Sequence, residues 1–185
     1  MDTRIRALEA YLVASARAGD TRALSRLVEL RGGRLMAHAV RLLGDREVAR
    51  DVVQEAWVEI LRGLRTLRDD HAFLPWALRI VTRRVAREIR RRQRGRALEA
   101  AVASETDLSV DEAGPVASDA AKARAAIAAL PRDQAATVAL FYLEDLSVGE
   151  VATALDVPVG TVKTRLMHAR RKLRDLLEGE DDEQD

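Results

Sequence analysis

The strongest constraint on the fold is a run of arginines within one predicted helix. Between Arg79 and Arg96 the chain carries nine arginines and a single acid, Glu88, which leaves a local charge of +8. An aromatic residue and five of the arginines recur every three or four positions and so share one helical stripe: Trp76, Arg79, Arg83, Arg87, Arg90 and Arg94. A ring at the head of a line of guanidinium groups is typical of a surface that binds a polyanion with stackable bases.

Two other interpretations of this helix remain open. It is either a basic helix that is simply solvated or one that lies on a membrane surface. The face opposite the arginines is ordinary apolar core, which argues against lipid: Leu74, Ala77, Leu78, Val81, Val85 and Ile89.

The segment from Asp45 to Leu64 predicts a helix whose two faces differ in chemistry. Asp45 is suited to capping the helix start. One face gathers apolar core candidates: Ala49, Val52, Val53, Ala56, Trp57, Ile60 and Leu64. The other mixes polar and branched apolar residues: Glu47, Asp51, Gln54, Val58 and Leu61. Branched apolar side chains left in water indicate a docking face for another protein.

The N-terminal part predicts two further helices. Residues 3–18 form the first, and Asp20 is expected to cap a second that runs to about Leu43 and ends at Gly44. Gly32 and Gly33 are expected to kink or split this second helix, because each glycine weakens a helix interior by roughly 1 kcal/mol.

The C-terminal part predicts a helix-turn-helix. Ser147 and Glu150 form a capping box for a helix that ends at Leu155, and after a three-residue turn a basic helix runs from Val159 to about Glu178. Its inward arc is Val162, Leu166, Ala169 and Leu173. The outward arc is suited to a DNA groove: Gly160, Lys163, Thr164, Met167, His168 and Arg171. A basic last helix of a small bundle remains the alternative.

Composition bounds the remaining possibilities. The chain is 48% hydrophobic and 33% charged, as in globular domains, and its low aromatic content of 3% favours helices built on Leu, Val, Ile and Ala. The absence of cysteine excludes disulfides and thiolate chemistry and fits a reducing cytoplasm. No apolar run reaches the roughly 18 residues of a membrane span, so no membrane insertion is expected.

Catalytic and metal-binding readings find little support. Asp69, Asp70 and His71 could ligate a metal, but these adjacent residues lack supporting ligands, and His38 and His168 are interpreted as exposed histidines. We therefore expect no enzyme activity, no metal and no cofactor.

Two motif-bearing stretches resemble a known family. DVVQEAW, followed by an F-x-x-W-x-x-R-I run and the arginine-rich end, resembles region two of bacterial sigma factors, most closely the extracytoplasmic-function (ECF, group IV) class. LPRDQAATVALFYLEDLSVGEVATALDVPVGTVKTRLMHARRKLRDLL resembles region four of the same class. Together they cover about Leu24–Gly95 and Lys122–Leu177, in the family's order.

The resemblance implies an all-α fold of two small helical domains joined by a flexible linker. Residues 1–95 would form the region-two domain, 96–118 an acidic linker, 119–178 the region-four helix-turn-helix domain and 179–185 an acidic tail. The linker would run towards the RNA exit channel. Residues 104–119 carry five acids and no base, and the last eight residues carry six acids. We expect the two domains to be loosely placed without polymerase.

The implied function is to direct core RNA polymerase, in the cytoplasm, to specific promoters for transcription initiation. Five residues would dock on the β′ clamp helices: Asp51, Gln54, Glu55, Val58 and Leu61. The −10 element, melted to single strands, would meet Thr66, Asp69, Asp70, His71, Trp76, Arg79, Arg83, Arg87 and Arg90. The duplex −35 element would meet Lys163, Thr164, Met167, His168 and Arg171, while the same domain leans on the β flap.

The resemblance also implies regulation by an anti-sigma factor. It shows two departures. Only Phe73 and Trp76 remain of the aromatic run with which primary sigma factors open the duplex, and Arg31-Gly32-Gly33-Arg34 replaces the tyrosine- and proline-bearing stretch common there. A stand-alone helix-turn-helix transcriptional regulator is the alternative. That class needs only one DNA-binding module and usually has a dimerisation element, whereas this chain has two dissimilar basic modules.

Overall fold

The computed structural model describes residues 3–100 and 125–178, with side chains over 4–94 and 125–175. All regular structure in these ranges is helical, which confirms the predicted all-α class. The helices are α1 Thr3–Arg17, α2 Thr21–Leu43, α3 Arg46–Gly63, α4 Phe73–Ala100, α5 Arg132–Val138, α6 Val148–Leu155 and α7 Val159–Glu178. Two 3₁₀ turns, Leu64–Thr66 and Asp70–Ala72, lie between α3 and α4, and a π turn, Ala139–Leu143, continues α5.

The helix ends form where capping residues were predicted. Asp20 and Asp45 each accept two backbone N–H groups of the following turn, at 2.8–3.2 Å. Gly44 closes α2 in the left-handed conformation, with φ of 73°, and donates to the Val40 carbonyl at 2.7 Å. These caps satisfy backbone groups that would otherwise lack partners, and so they set the boundaries of α2 and α3.

The predicted break at the glycine pair of α2 is wrong. The helix runs without interruption through Gly32 and Gly33. Leu27 and Leu35, on either side of the pair, are fully buried. Packing on both flanks outweighs a propensity cost of roughly 1 kcal/mol per glycine, so the helix continues.

Helices α1 to α4 enclose the larger part of the core. Its fully buried members come from all four helices: Val13, Leu27, Leu35, Ala49, Ala56, Phe73, Ala77 and Val81. Two charged side chains are also buried there, Glu9 of α1 and Arg31 of α2, and they form an ion pair. Burial raises the pKa of Glu9 despite the adjacent Arg31. A buried pair of this kind is costly to break on one side only, so it specifies how α1 sits on α2.

Helices α5 to α7 form the predicted helix-turn-helix. The capping box is present, with Ser147 and Glu150 exchanging backbone–side-chain hydrogen bonds at the start of α6. Asp156 ends α6 in the left-handed conformation, with φ of 56°. Aspartate tolerates this region better than most residues with a Cβ, so the chain turns here without glycine.

The two halves pack directly against each other, unlike the loose placement expected from the sequence. Helix α6 lies on α4, where the Thr82 hydroxyl donates to the Ala154 carbonyl at 2.7 Å. The segment after α5 lies on α2, where Arg34 and the buried Glu144 approach to 3.1 Å. The described parts of both halves therefore share one apolar cluster.

The predicted linker and tail lie mostly outside the described residues. Helix α4 extends to Ala100 and so includes the first residues of the 96–118 range. Residues 101–124 and 179–185 are not described, and the five acids of 104–119 lie among them; residues 125–128 are helical.

Candidate nucleic-acid interface

The outward face of α3 is exposed as its periodicity predicts. Val58 and Leu61 are 44% and 41% exposed, and Asp51 and Gln54 beside them are also exposed. The core face of the same helix is buried, including Ala56 at 0%. Two branched apolar side chains among acids and an amide thus remain uncovered in the described part of the chain.

Seven arginines of α4, from Arg79 to Arg92, divide into two sets with different surroundings. The first set holds α4 on α3. Arg84 bonds to Glu55 and Glu59 of α3, and Arg92 approaches Asp45 to 3.3 Å. Arg91 and Arg92 also pair with Glu88 of α4 itself, and hydrogen bonds from these arginines lower the pKa of Glu88. Glu55, expected to bind polymerase, is therefore exposed but already paired.

The second set, which we call the arginine stripe, points to solvent: Arg79, Arg83, Arg87 and Arg90. None of the last three forms an ion pair with a described residue. Arg79 pairs with Asp156, in the turn of the helix-turn-helix, at 2.8 Å. Three guanidinium groups without an ion pair among the described residues raise the local concentration of a polyanion such as DNA.

The two aromatic side chains near the stripe differ in accessibility. Phe73 is fully buried, so it belongs to the core and presents no ring to a nucleic acid. Trp76 is half-buried and packs beside Gly63, where an added Cβ would lie 3.0 Å from the indole. Only part of the Trp76 ring is therefore available for stacking.

The loop between α3 and α4 is held by its own polar groups. The Thr66 hydroxyl donates to the Gly63 carbonyl at 2.7 Å, and the Asp69 carboxylate accepts the His71 N–H at 2.9 Å. Asp70 pairs with Arg17 of α1 at 3.0 Å. His71 is exposed, as is Thr66. The structure brings these predicted residues to the end of α4 from which the arginine stripe begins.

The outward arc of α7 is accessible. Lys163, His168 and Arg171 are exposed, and Met167 is 59% exposed. Thr164 is also exposed, and its hydroxyl donates to the Gly160 carbonyl at 3.0 Å. The inward Val162, Leu166 and Ala169 are buried, as predicted.

Two polar contacts fix α7 on the preceding helices. Arg165 pairs with Asp133 at 2.6 Å, and the Arg170 Nε donates to the Tyr142 hydroxyl at 2.8 Å. A helix that is clamped on one side and exposed on the other has the shape that enters a major groove.

The two histidines noted in the sequence differ. His168 is exposed as interpreted, but His38 is fully buried, so its interpretation as exposed is wrong. His38 lies on the inner face of α2 and contacts Thr82 of α4 at 2.9 Å. Among the described residues no group of three or more His, Asp or Glu side chains could hold a metal ion, and no helix is long and apolar enough to cross a membrane.

Comparisons with known proteins agree with this geometry. Residues 27–95 match the family described as Sigma-70 region 2, and residues 120–173 match Sigma-70 region 4. The RNA polymerase sigma-H factor of Pseudomonas aeruginosa is 30% identical over 90% of this chain and 92% of its own length. The ECF RNA polymerase sigma factor SigM of Mycobacterium tuberculosis is 30% identical over 91% of this chain and 84% of its own length. The chain belongs to the ECF sigma factors.

Solved structures place this sigma factor in the same fold. The sigma factor RpoE from Bartonella quintana, in complex with the anti-sigma factor NepR, superposes with a TM-score of 0.67 at 20% identity, over 85% of this chain and 98% of that one. CnrH, in complex with the cytosolic domain of CnrY, superposes with a TM-score of 0.62 at 26% identity, over 93% and 98%. Both likenesses span the two halves.

Sequence reasoning missed two features of this sigma factor's surface. Arg17 ties α1 to the loop, and Asp156 engages the first arginine of the stripe. Neither had a sequence signal, because a lone arginine at the end of a helix and a lone aspartate in a turn are common on any surface.

Proposed function

We propose that this sigma factor directs core RNA polymerase to specific promoters by docking on the β′ clamp helices, capturing the melted −10 non-template strand and reading the −35 element. The observation that carries the proposal is the presence of three separate exposed surfaces: the outer face of α3, the arginine stripe with its loop, and the outward arc of α7. A regulator that only binds duplex DNA needs the third surface alone.

The outer face of α3 would dock on the clamp. Val58 and Leu61 would be desolvated by the partner, and Asp51, Gln54 and Glu55 would supply polar contacts around them. An apolar centre with a polar rim is the usual composition of a protein interface.

The arginine stripe would bind phosphates of the −10 region as the duplex opens, and the loop would receive an unstacked base. A base must leave the stack before its edge can be read, and a site beside a cationic track favours the single strand. Thr66 and His71, exposed at the loop, would face the base, with Trp76 offering the open part of its ring.

The outward arc of α7 would read the −35 element. Arg171 and Lys163 can reach base edges or phosphates, and Met167 offers an apolar contact. Because Arg79 is bound to Asp156, full use of the stripe requires Arg79 to exchange that carboxylate for a phosphate, which loosens the contact between the halves.

We further propose that the protein acts in the cytoplasm and is held inactive by an anti-sigma factor. The support is that two proteins of the same fold, RpoE and CnrH, were solved in complex with NepR, named an anti-sigma factor, and with CnrY.

The decisive experiment adds purified protein to core RNA polymerase and maps transcript starts on a library of random upstream sequences. We expect starts downstream of one bipartite motif, and a loss of starts when Arg83, Arg87 and Arg90 are replaced by Ala. Replacing the exposed Arg4, Arg22 and Arg26 on α1 and α2 removes the same charge elsewhere and serves as the control. Tight, specific binding of promoter duplex by the free protein at physiological salt, without association with core polymerase, would support the stand-alone regulator instead.

A further inference from the structure

Arg17, the last residue of α1, reaches across to the loop between α3 and α4. Its Nη1 donates to the Leu67 carbonyl at 2.8 Å and lies 3.0 Å from an Asp70 carboxylate oxygen. Its Nη2 donates to the other Asp70 oxygen at 3.3 Å. One guanidinium thus binds a backbone carbonyl and a carboxylate that are three positions apart in the loop.

This contact spans the least regular part of the loop. The 3₁₀ turn Leu64–Thr66 ends before Leu67, and the turn Asp70–Ala72 begins after Asp69. Leu67 and Asp69 are both extended, with ψ of 117° and 111°. Extended residues between two short turns have few hydrogen bonds of their own, and fixing each of them in one conformation costs conformational entropy. Arg17 bridges this gap from outside the loop.

The surroundings of Arg17 favour a fixed geometry. The side chain of Leu67 is only 8% exposed, and its packing in the core anchors the loop to the rest of the protein. The Arg17 and Asp70 side chains are 35% and 22% exposed, so their pairing is partly shielded from water. A planar guanidinium that binds two acceptors holds direction as well as distance.

We propose that Arg17 is a positioning residue for promoter recognition, which makes α1 part of the machinery that reads the −10 element. The proposal rests on the proposed function of the loop. Arg17 presets the loop so that Thr66 and His71 are presented to the unstacked base before DNA arrives. Asp70 is then the counter-ion of Arg17 rather than a contact to the base.

Preorganisation predicts a specific defect when Arg17 is lost. A loop that samples several conformations binds every base more weakly, and the loss of affinity is largest for the base that the fixed conformation fits best. The consequence is reduced discrimination among bases at one −10 position. A residue that only stabilised the fold would change the thermal midpoint and leave the ratio between bases unaltered.

The test uses holoenzyme assembled with wild type, Arg17→Ala, Arg17→Lys or the control Arg22→Ala, an exposed arginine at the start of α2. Single-round transcription is measured on promoters carrying each base in turn at every −10 position. For Arg17→Ala we expect the ratio of transcription between the best and the worst base to fall about fivefold at one −10 position. A change of this size corresponds to the loss of a partly exposed, charged hydrogen bond. Core binding and −35 duplex binding should not change.

Arg17→Lys keeps the charge but cannot bind both acceptors in one plane, so we expect an intermediate ratio. A ratio equal to wild type in Arg17→Lys or Arg17→Ala would overturn the proposal. A uniform loss at every base, with a weaker salt dependence, would overturn it too, because Arg17 would then touch a phosphate. If the wild-type holoenzyme starts no specific transcript, the proposed function itself fails, which is a different result from a variant that discriminates normally.

Discussion

At the residue scale, His38 is an ionisable side chain enclosed between α2 and α4. It has no exposed surface, and its Nε2 lies 2.9 Å from the Thr82 hydroxyl, which donates to the Ala154 carbonyl. Because the hydroxyl proton goes to that carbonyl, the Nε2 of His38 carries the proton of the neutral ring, and Nδ1 has no partner among the described residues. Burial, and secondarily the charge of Arg41, lower the pKa of His38 to about 3.

This shift predicts a loss of stability in acid. The unfolded histidine has a pKa near 6.5 and the folded one about 3, so between these values the unfolded chain binds more protons. The contribution of neutral His38 to the free energy of unfolding is fully present above pH 6.5. It falls by up to about 1.4 kcal/mol per pH unit as pH decreases towards 3.

Urea unfolding of wild type and His38→Gln at pH 7, 5.5 and 4.5 measures the effect, since the glutamine cannot titrate. We expect the stability difference between the two proteins to shrink or reverse as pH falls. The exposed His168→Gln is the control and should follow wild type. Equal pH dependence in all three proteins would refute a buried neutral His38.

Local residue roles were predictable and tertiary ones were not. The caps Asp20, Asp45 and Ser147 act on backbone groups two or three positions away, so the sequence contains both partners. His38 and Arg17 act through residues 44 and 50 to 53 positions away, and no local pattern records such neighbours.

At the element scale, α3 shows how far helical periodicity carries. Its buried and exposed faces are those that a repeat of 3.6 residues predicts, down to the exposure of Val58 and Leu61. The argument from helix propensity failed in α2, where a local penalty at two glycines was outweighed by packing that only the folded chain contains.

We expect Val58→Glu to separate docking from folding. The position is exposed, so helix content and thermal midpoint should change little. Affinity for core polymerase should fall sharply, because an unpaired carboxylate would enter a desolvated contact.

Val28→Glu is the matched control, since Val28 is an exposed valine on α2. Binding of single-stranded DNA through the arginine stripe should survive both changes. Normal transcription by a folded Val58→Glu protein would mean that α3 is not the dock.

The recognition helix α7 supports a second prediction at this scale. Arg171→Ala should relax discrimination at one or two −35 base pairs by roughly 1–3 kcal/mol each, if Arg171 contacts a base edge. Competition binding of holoenzyme to single-base variants of the −35 element measures this. Arg174→Ala, one turn away at an exposed position, is the comparison and should leave base preference unchanged. A uniform loss with Arg171→Ala would assign Arg171 to a phosphate.

At the scale of the whole molecule, the contact between the halves is the main feature that the sequence did not reveal. Thr82, Ala154 and Asp156 are small or polar, and each alone resembles ordinary surface. Their role in the contact between the halves arises only once α6 packs on α4, and no local sequence pattern predicts that packing.

Weakening this contact should separate the halves by measurable amounts. Asp156→Asn keeps a residue that tolerates positive φ and removes the charge facing Arg79. Because this ion pair is exposed, its loss should weaken the contact between the halves by at most about 1 kcal/mol. Glu144→Gln should act more strongly, because Glu144 is buried near Arg34 and Arg41.

The absence of native cysteine allows fluorophores at Gln93→Cys and Lys172→Cys, one in each half. We expect a broader and longer distance distribution in Glu144→Gln than in Asp156→Asn, and the narrowest in wild type. Identical distributions in all three proteins would show that these carboxylates do not hold the halves together.

The glycine pair of α2 has a practical consequence for protein engineering. A Cβ added at Gly32 or Gly33 would meet no atom within 4 Å, and both residues already have helical backbone. Alanine at either position should therefore increase the free energy of unfolding by about 0.5–1 kcal/mol, since it restricts the unfolded chain without a steric conflict. Neither position belongs to the arginine stripe or to the outward arc of α7. We therefore expect Gly32→Ala and Gly33→Ala to raise the thermal midpoint without changing the promoter preference.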